Sequence, residues 1–168
     1  ELNVSHTGSG YRAPKGLNSA STAKLGLFFE FNWDGDGLKV EEVIAGGPFD
    51  KSTIDVCKGD IITSINGVNI TNGMDYYPLL DGLAGKRTLV GIKKADGHES
   101  SVIVFPINAA QLNGLLYKRW VRSSARKVEE LSKGRLGYVH IQGMNDPSFR
   151  TVYSEILGRY NHCDGIVI

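Results

Sequence analysis

The segment from Cys57 to Ile70 restricts what this chain can fold into more than any other stretch. It reads Cys57-Lys58-Gly59-Asp60-Ile61-Ile62-Thr63-Ser64-Ile65-Asn66-Gly67-Val68-Asn69-Ile70. Asn66-Gly67 is the pair that a type I′ hairpin turn demands, because both central residues take positive φ. Lys58-Gly59-Asp60 supplies the bend that feeds the first strand. Upstream, Lys24-Leu25-Gly26-Leu27-Phe28-Phe29-Glu30-Phe31 sets a glycine between two leucines just before an alternating run. Leu27, Phe29, Phe31 and Trp33 share one face of a strand, and Phe28, Glu30 and Asn32 share the other. Gly26 tolerates positive φ, so the turn around it is able to aim backbone N–H groups outward. Such a nest holds a carboxylate, and the strand after it accepts an added peptide strand. A plain glycine turn that only starts a hairpin strand would use the same residues.

The 168 residues suffice for one domain or one and a fraction. The composition, 41% hydrophobic and 22% charged, is that of a globular protein. A formal net charge of +1 provides no long-range field for nucleic acid or an anionic membrane. No run approaches the roughly 18 apolar residues of a membrane span. The first residue is Glu1 rather than Met and no signal-type apolar region follows, so the chain is expected to be an excised piece. Cys57 and Cys163 are expected to fill core positions rather than to pair.

In chain order, Glu1 to Gly8 is followed by a polar Gly/Ser stretch from Thr7 to Thr22, expected as a linker or exposed loop. Leu25 to Trp33 and Leu38 to Ile44 are expected strands around an Asp34-Gly35-Asp36-Gly37 turn. The two aspartates do not make an EF-hand loop: position 39 is Lys and position 45 is Ala, so no metal is expected. Asp75 to Leu83 is expected as a helix with Pro78 in its first turn. Arg87 to Lys93 and Ser100 to Pro106 are expected strands joined at Ala95-Asp96-Gly97. From Leu112 to Leu131 the apolar period becomes helical through Leu112, Leu115, Leu116, Trp120, Val128 and Leu131, with a break near Gly114 and a stop at Lys133-Gly134. Leu136 to Ile141 is an expected strand. Asp146 is the expected cap of a helix from Pro147 to Tyr160, whose apolar residues recur on one face. Asp164 to Ile168 opens a continuous apolar strand, which completes a βαβ unit.

The first two segments together resemble the core of a PDZ domain: an apolar-Gly-apolar loop, a strand pair, then Gly-Asp-Ile-Ile-x-x-Ile-Asn-Gly. Tyr117 to Met144 resembles the segment of tricorn-type serine proteases that leads from the PDZ domain into the second catalytic subdomain. Cys163 to Ile168 resembles the strand that follows there, and Glu1 to Gly8 resembles the end of the first catalytic subdomain. The matches occur in the family's order and cover nearly the whole chain. The resemblance, which extends to the C-terminal processing peptidases, implies a mixed α+β fold. A PDZ domain, a small partly open β-barrel with two helices, would occupy 22–107. The end of a preceding catalytic subdomain and a linker would occupy 1–21. A linking helix and the truncated βαβ start of the next subdomain would occupy 108–168.

The resemblance also implies chemistry. The parent would hydrolyse peptide bonds through a serine acyl-enzyme, with no cofactor. His6 would be the general base and Ser5 would help orient it, because a serine hydroxyl is a weak nucleophile until a positioned base takes its proton. The nucleophile would lie beyond Ile168, and the fragment alone would be inactive. Lys24, Leu25, Gly26, Leu27, Phe28 and Phe29 would form the peptide-binding edge, facing Tyr76 and Leu79 from the pocket helix. Lys24 is the one cation near the carboxylate loop. The expected partners are a peptide or protein C-terminus, the rest of the parent protease and possible further copies, with no nucleic acid and no membrane span. The resemblance leaves the compartment open, with a bacterial periplasm or cell envelope as the expected setting and the cytoplasm as the alternative. A scaffold PDZ module that binds free C-termini without catalysis is the competing reading. The flanking Ser5-His6 segment and the βαβ unit, which a scaffold does not need, speak for the peptidase.

Overall fold

A computed structural model describes residues 10, 11 and 21–168. Ser5 and His6 lie outside the described residues. Local sequence builds the first body as an antiparallel sheet. Its strands are β1 (Leu27–Phe29), β2 (Leu38–Val43), β3 (Ile61–Ile65), β4 (Val68–Asn69), β5 (Thr88–Lys93) and β6 (Glu99–Val104). They lie in the order β1-β2-β3-β5-β6, with β4 folded back on β3. The hairpin forms as its turn pair requires: Asn66 has φ +49° and Gly67 φ +82°, with Ile65 opposite Val68. Val90 and Ile92 of β5 alternate into the core, and Ile62 and Ile65 of β3 both reach it because the β3–β5 register shifts between Ile62 and Ser64; all four are at most 1% exposed. Each such side chain contributes about 1.5–3 kcal/mol of burial.

The edge strand is shorter than the 25–33 expectation. β2 carries one extra residue opposite the step from Phe28 to Phe29, so Phe28 faces Glu42 and Phe29 faces Val40. A bulge of this kind bends the pair and raises its twist. The chain leaves the ladder after Glu30, whose N–H donates to the Lys39 carbonyl, and Phe31 ends 99% exposed instead of sharing a face with Leu27 and Phe29.

The expected helix over 75–83 is a single 3-10 turn, Tyr77–Leu80. Pro78 has no N–H to give, and Asp81 turns extended to pair with Thr22, whose hydroxyl donates to the Asp81 carboxylate at 2.6 Å. That pairing ends the turn.

Lys24 and Ile107 exchange both backbone hydrogen bonds, at 2.7 and 2.9 Å, which ties the two ends of the sheet body together. Helix α1 (Ala109–Ser132) leaves from there through a capping box between Asn108 and Gln111. It runs unbroken past Gly114 and ends at Lys133 in the left-handed region. Trp120 and Leu131, assigned to its apolar stripe from the sequence, are exposed. The βαβ unit forms as expected: β7 (Leu136–Tyr138) and β8 (Gly165–Val167) are parallel, joined through α2 (Asp146–Ser154) and a π turn over Glu155–Arg159. β7 is shorter than the 136–141 expectation. Asn145 rather than Asp146 caps α2, since the Asn145 side chain accepts from the Ser148 N–H, while Asp146 pairs with Arg150. Cys57 is exposed and Cys163 half-buried, so neither fills the core.

Candidate peptide-binding groove

Gly26 sits at φ +71°, and a Cβ there would lie 2.7 Å from Pro48 Cδ. The position therefore demands glycine twice, by conformation and by the close approach of the 44–49 loop. The loop is fixed on both sides. The Ile44 N–H donates to the Gly26 carbonyl at 3.0 Å, Lys24 is bound to Ile107, and the Ala23 N–H donates to Leu80. Among the described residues the N–H groups of Leu25 and Gly26 have no hydrogen-bond partner.

The register sets which backbone groups of β1 are free. Gly26 and Glu30 bond toward β2, and Phe28 pairs with Glu42. Alternation in an antiparallel ladder then turns the N–H and C=O of Leu27 and Phe29 away from β2. β1 is the end of the sheet order, so these groups form an open strand edge.

That edge borders a groove of about 420 Å³, lined among others by Lys24, Gly26, Leu27, Phe29, Tyr76 and Tyr77. Leu25 and Phe28 also line it, and Leu80 forms its floor at 2% exposure. Leu79 packs against the core and does not line the groove. Residues i and i+3 eclipse in a 3-10 turn, so Tyr77 and Leu80 share one side. Tyr76 meets Phe29 edge-on across the groove with ring centroids 6.0 Å apart, and it stacks on Tyr77 at 4.5 Å. Burial and the neighbouring Tyr77 raise the Tyr76 phenol above its ordinary range, so it is neutral at any physiological pH. The Lys24 ammonium lies 5.4 Å from the Tyr77 ring, at the loop end of the groove.

One groove residue comes from α1 and was not anticipated, and a second α1 residue braces the strand pair behind it. Leu112 closes the groove mouth. The one sequence signal for it is position: it begins the α1 stripe just after Ile107, the partner of Lys24. Arg119 grips Glu42 of β2 with two bonds of 2.6 Å and holds its guanidinium 5.5 Å from the Phe28 ring. The Arg119 hydrogen bond holds the Glu42 carboxyl below its usual range. Farther along α1, the Tyr117 hydroxyl is 2.7 Å from His140 Nδ1, and the Trp120 ring meets His140 edge-on at 4.7 Å, joining the helix to the segment after β7. A second cavity of about 360 Å³ between α1 and α2 is lined by Lys118, Arg122, Glu155 and Arg159 among others.

Below β3, Asp60 is 1% exposed. It accepts from Lys94 and from the Cys57 N–H at 2.9 Å, and from the Ala95 N–H at 3.3 Å. Burial alone would raise its pKa, but the Lys94 and Cys57 bonds outweigh it and hold the carboxyl below its ordinary value. Partial desolvation on its inner side and the Asp60 charge raise the Cys57 thiol, which argues against a reactive thiolate. No group of His, Cys, Asp and Glu able to hold a metal occurs among the described residues, and no described helix is long and apolar enough to cross a membrane.

Residues 39–94 match the family model of the PDZ domain. The tricorn protease of Thermoplasma volcanium is 32% identical over 108 residues, 64% of this chain and 10% of that protein. The tricorn protease homolog of Saccharolobus solfataricus is 28% identical across 100% of this chain and 16% of its own length. The chain thus spans between a tenth and a sixth of these relatives. A crystal structure of the tricorn protease shares the fold, with a TM-score of 0.69 at 24% identity over 82% of this chain and 14% of that one. The chain therefore contains a PDZ domain, set within a sequence similar to the tricorn proteases.

Proposed function

We propose that the groove captures the C-terminal end of a peptide by strand addition, as part of a serine-type peptidase. The free edge of β1, directly after a glycine held at φ +71°, carries this reading. Leu25 and Gly26 offer N–H groups to a carboxylate, Lys24 adds a positive charge at that end, and Leu27 and Phe29 offer a ladder to the peptide backbone. Tyr77, Leu80 and Leu112 supply an apolar pocket for the terminal side chain. Similarity to tricorn proteases supports the peptidase context. In that context His6 is the general base, Ser5 orients it, and the nucleophile lies beyond Ile168. The Lys24–Ile107 pairing supports a binding body over 22–107, with 1–21 and 108–168 belonging to the catalytic parts.

Titration of the protein with a library of octapeptides, free acid against C-terminal amide, tests the groove. Free acids should bind and amides should bind at least about tenfold more weakly, the loss of roughly one charge-assisted contact. Equal binding of both forms would rule out carboxylate capture. For the catalytic assignment, His6→Ala in the full-length parent should reduce turnover by about four orders of magnitude or more. Near-normal turnover would remove His6 from the mechanism.

A further inference from the structure

We propose that a second pocket, at the far end of β1, takes an apolar side chain of the same bound peptide four or five residues from its C-terminus. This rests on the groove reading above and adds a specificity subsite to it. The pocket, about 190 Å³, lies between the β1–β2 turn and the 70–74 loop. Trp33, Met74 and Ile70 supply its apolar walls, with Phe31 at the rim. Phe29, Glu30 and Phe31 line both this pocket and the carboxylate groove, so the two cavities adjoin along one strand edge.

The pocket is built rather than incidental. The Gly37 N–H donates to the Ile70 carbonyl at 2.9 Å, and the Asn72 N–H donates to the Asp36 carboxylate at 2.9 Å. The Asn72 side-chain amide donates to the Asp34 carbonyl. These bonds give the Asp34-Gly35-Asp36-Gly37 turn a task other than metal binding: it is strapped to the opposite wall. The Trp33 indole lies across Gly35, where any Cβ would collide with the ring. Its Nε1–H donates to the Asp36 carbonyl, and Lys39 Nζ stands 4.9 Å from the ring. The indole is thus held in place before any ligand arrives. Lys39 is paired with Glu30 at 2.8 Å, which leaves the wall with little net charge. Phe31, by contrast, is 99% exposed at the rim, a large apolar ring with nothing on it. An extended peptide advances about 3.3 Å per residue, so the four steps from Gly26 to Glu30 cover about 13 Å. A peptide whose carboxylate sits at Gly26 therefore reaches Glu30, on the wall of this pocket, with its fourth or fifth residue from the end. Apolar walls with neutralised charge favour an aromatic or large aliphatic side chain there.

The test uses octapeptide sublibraries with free C-termini, in which the fourth or the fifth residue from the end is fixed as Phe, Leu, Ser or Asp. Binding is read by titration and by Trp33 emission in a Trp120→Phe background, which leaves Trp33 as the sole tryptophan. Phe or Leu at one of the two positions should bind about tenfold more tightly than Ser or Asp and shift Trp33 emission. Phe31→Ser, at a fully exposed site where folding is safe, should erase most of that preference, as should Met74→Asp. Amide-sensitive binding with no preference at either position would overturn the subsite and leave carboxylate capture standing. A preference that survives both substitutions would overturn it as well. Binding indifferent to amidation would overturn the groove reading itself, and with it the register that places the subsite.

Discussion

Replacing Asp60 with alanine removes a carboxylate that is 1% exposed and accepts from Lys94, Cys57 and Ala95. A hydrogen bond to a charged group contributes about 1.5–3 kcal/mol, and breaking a buried ion pair from one side costs about 3–5 kcal/mol. Lys94 is not stranded completely. Its side chain is 19% exposed and Asp55 stays within 3.2 Å. The two backbone N–H groups have no such substitute. The expected loss is about 2–4 kcal/mol, a drop of roughly 1–2 M in urea midpoint for a small domain. Urea unfolding of the 168-residue protein, followed by tryptophan emission, measures it.

The pH dependence gives an independent check. The folded-state pKa of Asp60 is lowered, so its contribution is fully present above the unfolded value of about 3.9 and fades as pH falls through the folded value. Asp60→Asn keeps the shape and loses the charge. Its deficit against the parent should therefore be present at neutral pH and shrink in acid, below about pH 4. An alanine variant within about 0.5 kcal/mol of the parent at neutral pH would refute the reasoning, because only surface sites behave that way. A deficit for Asp60→Asn that stays constant down to strong acid would also refute it.

Gly26→Val should both weaken the fold and abolish free-acid peptide binding, since the left-handed φ and the Pro48 contact each resist a side chain; about 1–3 kcal/mol is expected in a thermal melt. Retained binding by this variant would mean that the loop is not the carboxylate site. Arg119→Ala should cost about 0.5–1 kcal/mol, as the pair with Glu42 is half-exposed, and should speed amide exchange in the first half of α1. Unchanged exchange there would show that the clamp does not hold the helix to the sheet.

Local demands were legible. Asn66-Gly67 needs positive φ whatever surrounds it, so the β3–β4 hairpin is written in two residues. The helical period after Leu112 depends on side-chain spacing alone, and the βαβ order follows from the change of period. The candidate edge from Lys24 to Phe29 was likewise visible in the Leu25-Gly26-Leu27 loop and the alternating run after it. The pocket wall was not. Whether 75–83 becomes an α-helix or a 3-10 turn depends on Asp81 pairing with Thr22, a partner 59 residues away, and in the folded chain Tyr76, Tyr77 and Leu80 line the groove while Leu79 packs on the core.

The sequence by itself determined the elements whose signal is carried by near neighbours: turn chemistry, helical period and the loop glycine. The tertiary structure alone decided where β1 leaves the sheet, because the bulge arises from the extra residue on β2. It alone brought Leu112 to the groove mouth and Arg119 onto Glu42, 77 residues apart. It also folded the Asp34–Gly37 turn against Asn72 to make a walled pocket from residues that read as a plain turn. The physical reason is common to all three. A backbone conformation is set by a residue and its neighbours, whereas a groove is the space between elements, and its walls exist only once distant segments have packed.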